Sequence, residues 1–283
     1  MDSLSVHSRR RARRLSPWDL ALLAATATLF LLTLFGPYLA PFDPNAVDFR
    51  ARMHPLSLAH PLGTDWMGRD QLSRLLTGAR ASLGLSLAIS FGAACLGVAL
   101  GLLSAAVGPW GDKLLTRLTE VMQAFPELVA AMAIAALFGP SIHNLVLALV
   151  VTSWMRYARL TRGLALAIAA RDHVALARLA GVSRPAIAGR HILPLILPAL
   201  LVMWTGGWAR SILSVSALGF LGFGMQPPHP EWGAMLLDAR RYIADAPHLM
   251  WGPGIAIMLS VLAISLAGDR LRDLFPQDEA RSA

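Results

Sequence analysis

The sequence predicts an all-α membrane protein of about six transmembrane helices, with a polar helix–turn–helix between spans four and five. Three observations predict it. Hydrophobic residues make up 55% of the 283 positions and charged residues only 15%, well below the quarter or so of soluble domains. The apolar residues are gathered into runs: no charge interrupts 81–111, 128–155 or 192–209, and about 20 apolar residues suffice to cross a bilayer. The basic residues behind the net charge of +8 collect at the ends of those runs. That is the distribution of topology determinants, and it excludes the lined groove of a nucleic-acid binder.

The N-terminal tail, 1–17, carries the cluster "RRRARR" and leads into an apolar run over 18–38, bounded by Trp18 and Tyr38. A cleavable signal peptide has a shorter apolar region and a small-residue cleavage site, so this run reads as an uncleaved first span. Residues 39–81 then form an outside segment. Leu72, Leu75 and Leu76 share one helical face there, with Arg69, Asp70 and Arg74 elsewhere, which predicts an amphipathic helix on the membrane surface. The core, 82–272, holds spans at 82–107, 117–138, 143–162, 194–220 and 249–268. It also holds a second outside segment, 221–248, whose Gly and Pro residues break any helix before Glu231. The rest of that segment reads as a short surface helix. Seventeen basic residues fall on the side of the termini and seven on the other, so both termini, including the tail 273–283, are expected inside. Cys95, in a Gly/Ala-rich run, reads as a packing residue. As the sole cysteine it permits no disulfide or thiolate cluster within the chain.

Between spans four and five lies "RDHVALARLAGVSRPAIAGRHILP". Ala175, Leu176, Leu179 and Ala180 share one helical face. Gly181 is placed to end that helix, Ser183 to cap a second one, and Pro185 to occupy its first turn. Two short helices with a tight turn are expected outside the bilayer; their small residues let another protein approach, or the module merely packs at the interface under its own bundle.

Ionisable residues at membrane depth are costly and point to function. Glu120, Gln123 and Glu127 follow i, i+3, i+7 spacing in span three, with Pro126 interrupting. The stripe lines a wet path, or Glu120 sits beside Arg117 at the inner interface and Glu127 pairs with a neighbouring helix. Arg210 in "MWTGGWARSIL" must face the interior or pair with a carboxylate such as Glu127, because a lone Arg in hydrocarbon costs at least ~2.5 kcal/mol. Gly206 and Gly207 beside it permit close packing or a bend. His143, His229 and His248 lack the i, i+4 spacing of a helical metal site. No G-x-x-x-x-G-K-[ST] loop is present, and Lys113 in "GPWGDKLL" has no such context. No catalytic residue, metal or cofactor is therefore expected in this chain.

The segment 171–194 resembles the cytoplasmic loop of permease subunits of ATP-binding-cassette importers. Their pattern is Glu-Ala-Ala, three residues, Gly, nine residues, Ile-x-Leu-Pro. Ala177, Gly181, Leu193 and Pro194 match it, whereas Ala175 stands at the signature Glu, Leu176 at the next position and His191 at the first apolar position of the tail. "HPLGTDWMGRDQLSRLLTGARASL", "SWMRYARLTRGLAL", "LGFLGFGMQPPHPEWGAML" and "LAGDRLRDLFP" are similar to blocks of the second permease subunit of dipeptide, oligopeptide and nickel importers. The resemblance implies a subunit of a bacterial cytoplasmic membrane importer, with a second homologous permease chain completing the path. It implies two cytoplasmic ATPase subunits holding ATP and Mg, an extracytoplasmic substrate-binding protein, and peptide cargo with nickel as the alternative. It makes Arg171, Asp172, Ala175, Leu176, Ala177, Arg178, Gly181, Leu193 and Pro194 the ATPase-coupling loop; Gln123, Glu127 and Arg210 are the candidates for the path. A rival class, an ion- or proton-coupled transporter working without ATPase, would read Glu120, Glu127 and Arg210 as a relay.

Overall fold

A computed structural model describes residues 17–274. The tails expected over 1–17 and 273–283 lie almost wholly outside them. Among the described residues every regular element is a helix. α1 (Pro17–Phe35) runs into a 3-10 turn (Gly36–Leu39), and an irregular segment leads to α2 (Gln71–Val107). α3 (Pro109–Gln123), α4 (Glu127–Phe138) and α5 (Ile142–Ala169) follow, then the short α6 (Asp172–Leu179) and α7 (Arg184–Ile187). A π-helical turn (Ala188–Ile192) leads into α8 (Leu193–Phe220), and α9 (Trp232–Arg240) and α10 (His248–Leu274) complete the chain.

α2 and α5 form the spine of the bundle. Gly97 and Gly101, four apart on α2, face α5 so closely that a Cβ at Gly97 would overlap the Trp154 carbonyl. One at Gly101 would stand 2.7 Å from the Ala158 carbonyl. This is the small-residue spacing by which helices approach inside membranes, where packing rather than hydrophobic expulsion holds them. α8 packs on the other side of α2, with Trp208 donating to the Ser86 hydroxyl at 3.1 Å, and α1 and α10 close that flank around Leu29, Leu83, Ile212 and Ile264.

Four helical stretches are long and apolar enough to cross a membrane: Leu20–Leu39, Gln71–Val107, Arg184–Phe220 and His248–Asp273. The pair α3–α4 makes a fifth if taken as one span. α5, expected as the fourth span, is not among them, because Arg156, Arg159 and Arg162 fall in its second half.

Four expectations are corrected. The span over 117–138 is not continuous: the chain breaks at Ala124–Pro126, and α3 and α4 meet at 84°. Pro126 explains the position, since it lacks the N–H the helix needs and disfavours helical geometry at Phe125. The predicted surface helix around Leu72–Leu76 is instead the first turns of α2, and its polar residues are the buried ones: Asp70, Gln71, Ser73 and Arg74 are each at most 4% exposed. The helix after Glu231 is no surface helix either, for Trp232, Gly233, Met235 and Ala239 of α9 are buried against α2, α8 and α10. Cys95 is exposed rather than packed.

The buried polar residues at this end bind the cap together. Asp65 accepts from the Arg69 Nε at 2.7 Å, with Arg74 at 3.6 Å and Asp238 of α9 3.6 Å from Arg69. Asp70 caps α2 through the Ser73 N–H at 2.7 Å, and Gln71 donates to the Leu249 carbonyl at 3.0 Å. Glu231, fully buried, caps α9 through the N–H groups of Gly233 and Ala234 at 2.8 and 2.9 Å and accepts from the Ser82 hydroxyl of α2 at 3.0 Å. Burial raises its pKa, opposed by those three donors. Removing the carboxylate would strand the donors, at about 1–3 kcal/mol for each buried polar group left unpaired. Glu231→Ala is therefore expected to lower the midpoint of thermal unfolding in detergent by several degrees or to abolish folding. Glu231→Gln, which turns an NH₂ group toward one of the donors, should recover only part of the loss.

Candidate functional site

The helix–turn–helix expected over 171–194 is present. Gly181 adopts φ +79° with open space around it. The Val182 N–H donates to the Ala177 carbonyl and the Gly181 N–H to the Arg178 carbonyl, both at 3.0 Å, the paired bonds that close a helix on a left-handed residue. Ser183 stands at the N-terminus of α7, but its side chain caps nothing; Pro185 occupies the first turn as expected.

The hairpin has two unlike faces. Val174, Ile187 and Ile192 are buried and join Ala165, Ile168, Ile196 and Leu200 of α5 and α8 in one apolar cluster, with Ala177, Val182 and Leu193 packed against it. The Arg184 Nη1 also donates to the Ala106 carbonyl at the end of α2, at 3.0 Å. The other face is uncovered. Leu176 is 64% and Leu179 85% exposed, and Arg171, Asp172, Ala175, Arg178, Ala180 and Gly181 are exposed around them. The face predicted from Ala175, Leu176, Leu179 and Ala180 is thus the free one, and the anchoring face is carried by Val174 and Ala177.

Below the hairpin, Arg162 of α5 grips Asp112 of α3 with two hydrogen bonds, its Nη2 at 2.7 Å and its Nε in a closer contact. The sequence held a signal for this pair, one acid in the first turn of α3, but nothing in the linear order linked it to a residue fifty positions on.

The acidic stripe of span three does not survive the break. Gln123 ends α3, exposed, while Glu127 begins α4 in a different direction. Glu120 pairs with Arg117 at 3.1 Å in solvent. Glu127 turns to α5: its Oε1 accepts from the Ser153 hydroxyl at 2.6 Å and its Oε2 pairs with Arg156. The expected partner Arg210 is near enough to feel Glu127, Arg156 and Tyr157 electrostatically, yet it makes no hydrogen bond or ion pair with any described residue. Arg156, Ser153 and Tyr157 belong to the site although sequence reasoning did not select them. "SWMRYARL" did carry the signal, an arginine within reach of an apolar run. Of close packing and a bend, Gly207 provides the first, since a Cβ there would overlap the buried Tyr157 hydroxyl of α5. No group of three or more His, Cys, Asp or Glu among the described residues is placed to hold a metal ion.

Residues 97–280 match the sequence profile of the binding-protein-dependent transport system inner membrane component. The di/tripeptide transport system permease protein of Pseudomonas aeruginosa is 42% identical over 85% of this chain and 81% of its own length. The glutathione transport system permease protein of Escherichia coli is 40% identical over 89% and 85%, and the dipeptide transport system permease protein of Alkalihalophilus pseudofirmus is 37% identical over 87% and 81%. Among solved structures, the MetNI methionine ABC transporter in an inward-facing conformation has a chain with the same fold: TM-score 0.58 at 19% identity, covering 71% of this chain and 95% of that one.

The pairing of Glu127 with Arg156 rather than Arg210 is open to a double-mutant cycle. Arg156→Gln should strand the Glu127 carboxylate and lower the yield of folded protein, and Glu127→Gln in the same chain should restore it. A coupling energy on the order of 1 kcal/mol is expected for this two-thirds-buried pair. The corresponding cycle with Arg210→Gln should show a clearly weaker coupling to Glu127 in folded yield, since the two make no ion pair.

Proposed function

The chain belongs to the family of binding-protein-dependent transport system inner membrane components, and we propose that it serves there as one permease subunit of an ATP-driven importer of di- or oligopeptides. Relatives named for di- and tripeptides, dipeptides and glutathione support the cargo class and do not favour nickel. A second permease chain completes the path, an extracytoplasmic binding protein delivers cargo, and two cytoplasmic ATPase subunits carry the ATP and Mg. The orientation that fits puts the termini and 171–194 in the cytoplasm, and 39–81 and 221–248 outside, with 82–272 as the core.

The observation that carries the coupling role is the uncovered apolar face of α6 beside the left-handed turn at Gly181. Solvent-exposed Leu176 and Leu179 on a short helix clamped to the ends of α2, α5 and α8 form a stiff knob. An ATPase groove that receives it moves three helices at once. Arg171, Asp172 and Arg178 rim the knob, while Ala175, in place of the family's Glu, leaves shape rather than charge at that point. Leu193 and Pro194 carry the motion into α8 through the π-helical turn. The ATPase-free transporter is the weaker reading, because Glu120 and Glu127 are each held by their own arginine on helices that diverge by 84°.

Gly181→Val places a β-branched side chain at φ +79°, at a cost of roughly 1–2 kcal/mol. It is expected to abolish peptide uptake by the assembled transporter while leaving membrane insertion unchanged; normal uptake would remove the coupling role. Orientation is read with single cysteines at Ser57 and Ser183 in a Cys95→Ala background. An impermeant thiol reagent on intact cells should label the first and spare the second.

A further inference from the structure

Arg210 lines a cleft of about 310 Å³ between α8 and α10, walled by Thr205, Gly206, Ser265, Asp269 and Arg272 among others. A water takes ~30 Å³ in the liquid, so the space holds roughly ten. The helices touch where a Cβ at Gly268 would overlap the Thr205 hydroxyl, and the cleft opens around that crossing. Arg210 lies 17 residues beyond Leu193 on α8, about 26 Å along the helix from the hairpin end. Its guanidinium lies back over two glycines. Nη1 stands 3.7 Å from where a Gly206 Cβ would be and Nη2 3.9 Å from that of Gly207.

Charges around the cleft cancel except at one point. Arg156 is matched by Glu127. Asp269 and Arg272 of α10, in the cleft wall, carry opposite charges. Arg210 alone keeps its charge, since a guanidinium does not lose its proton, and it makes no hydrogen bond or ion pair with any described residue. Charge at this depth marks a pathway or a ligand.

We propose that Arg210, with the Ser265 hydroxyl across the cleft, binds the C-terminal carboxylate of the cargo, which reaches into the cleft from the path shared with the second permease chain. A guanidinium presents two parallel N–H donors to a carboxylate, and the hydroxyl adds a third. The site rests on the peptide-importer reading and refines it: the permease itself reads the free C-terminus after the binding protein has released the cargo.

The test uses the complete transporter in liposomes with its binding protein, and one dipeptide supplied with a free C-terminus and as its C-terminal amide. Arg210→Gln should cut uptake of the free acid about tenfold or more and leave the amide unchanged, moving the acid-to-amide ratio by the same factor; Arg210→Lys should restore part of it. Both variants are checked for co-purification with their partners. An unmoved ratio, or an equal fall in both uptakes, overturns the site while wild-type peptide uptake stands. An acidic phospholipid that co-purifies with the wild type but not with Arg210→Gln, at an unmoved ratio, also overturns it and assigns Arg210 to a headgroup. Absence of peptide uptake by the wild type removes the peptide reading, and the carboxylate site falls with it.

Discussion

The close approach of α2 to α5 is the contact on which the other helices rest. Without side chains at Gly97 and Gly101, the two backbones meet at Trp154 and Ala158, and every later element is hung from that pair. α8 lies along α2 through Trp208 and Ser86. The hairpin clamps to the ends of both through Ile168 and Ala105, and α4 leans on α5 through Leu145 and Leu149. In a bilayer no water is expelled when helices meet, so dispersion between well-fitted surfaces must do the holding. That makes the geometry close-fitted at the spine, and the short hairpin packs against several helices together at its end.

Polar chemistry is distributed unequally along this frame. At the capped end, Asp65, Arg69, Arg74 and Asp238 neutralise one another, and Glu231 and Asp70 spend their oxygens on helix N-termini. Those groups hold the 41–70 segment and α9 onto the bundle. Midway along the helices the pattern changes. Glu127 and Arg156 form a pair that is a third exposed, and Arg210 beside them is not neutralised. Charge used for architecture is buried and matched, whereas charge facing the cleft is left over.

Much of this was legible in the sequence, and the limits have physical causes. Apolar runs located α1, α2, α8 and α10 because hydropathy reports directly on length and composition. The hairpin was legible down to Gly181, since only a left-handed turn asks for glycine at that point. Local pattern could not say which face of an amphipathic helix is buried. At 70–74 the polar face is inside because Leu249, distant in sequence, and Asp65, in the loop just before, supply its partners. The same reasoning placed Glu127 in the membrane but not its mate, because Arg156 and Arg210 are equivalent as charges and only the tilt of α4 chooses between them.

The elbow at Ala124–Pro126 bears on where water can reach. Two helices meeting at 84° cannot hand hydrogen bonds across the corner, and Pro126 brings no N–H of its own. The last carbonyls of α3 and the first amides of α4 therefore depend on partners other than the next turn; the Ala124 N–H and the Pro126 carbonyl find theirs within the chain. Acyl chains offer no donors or acceptors, so an open corner is stable only against protein or solvent. The corner carries Gln123, Ala124, Phe125 and Pro126, all exposed in the isolated chain. Wherever that corner lies at membrane depth, its open backbone must meet water or another polypeptide rather than acyl chains.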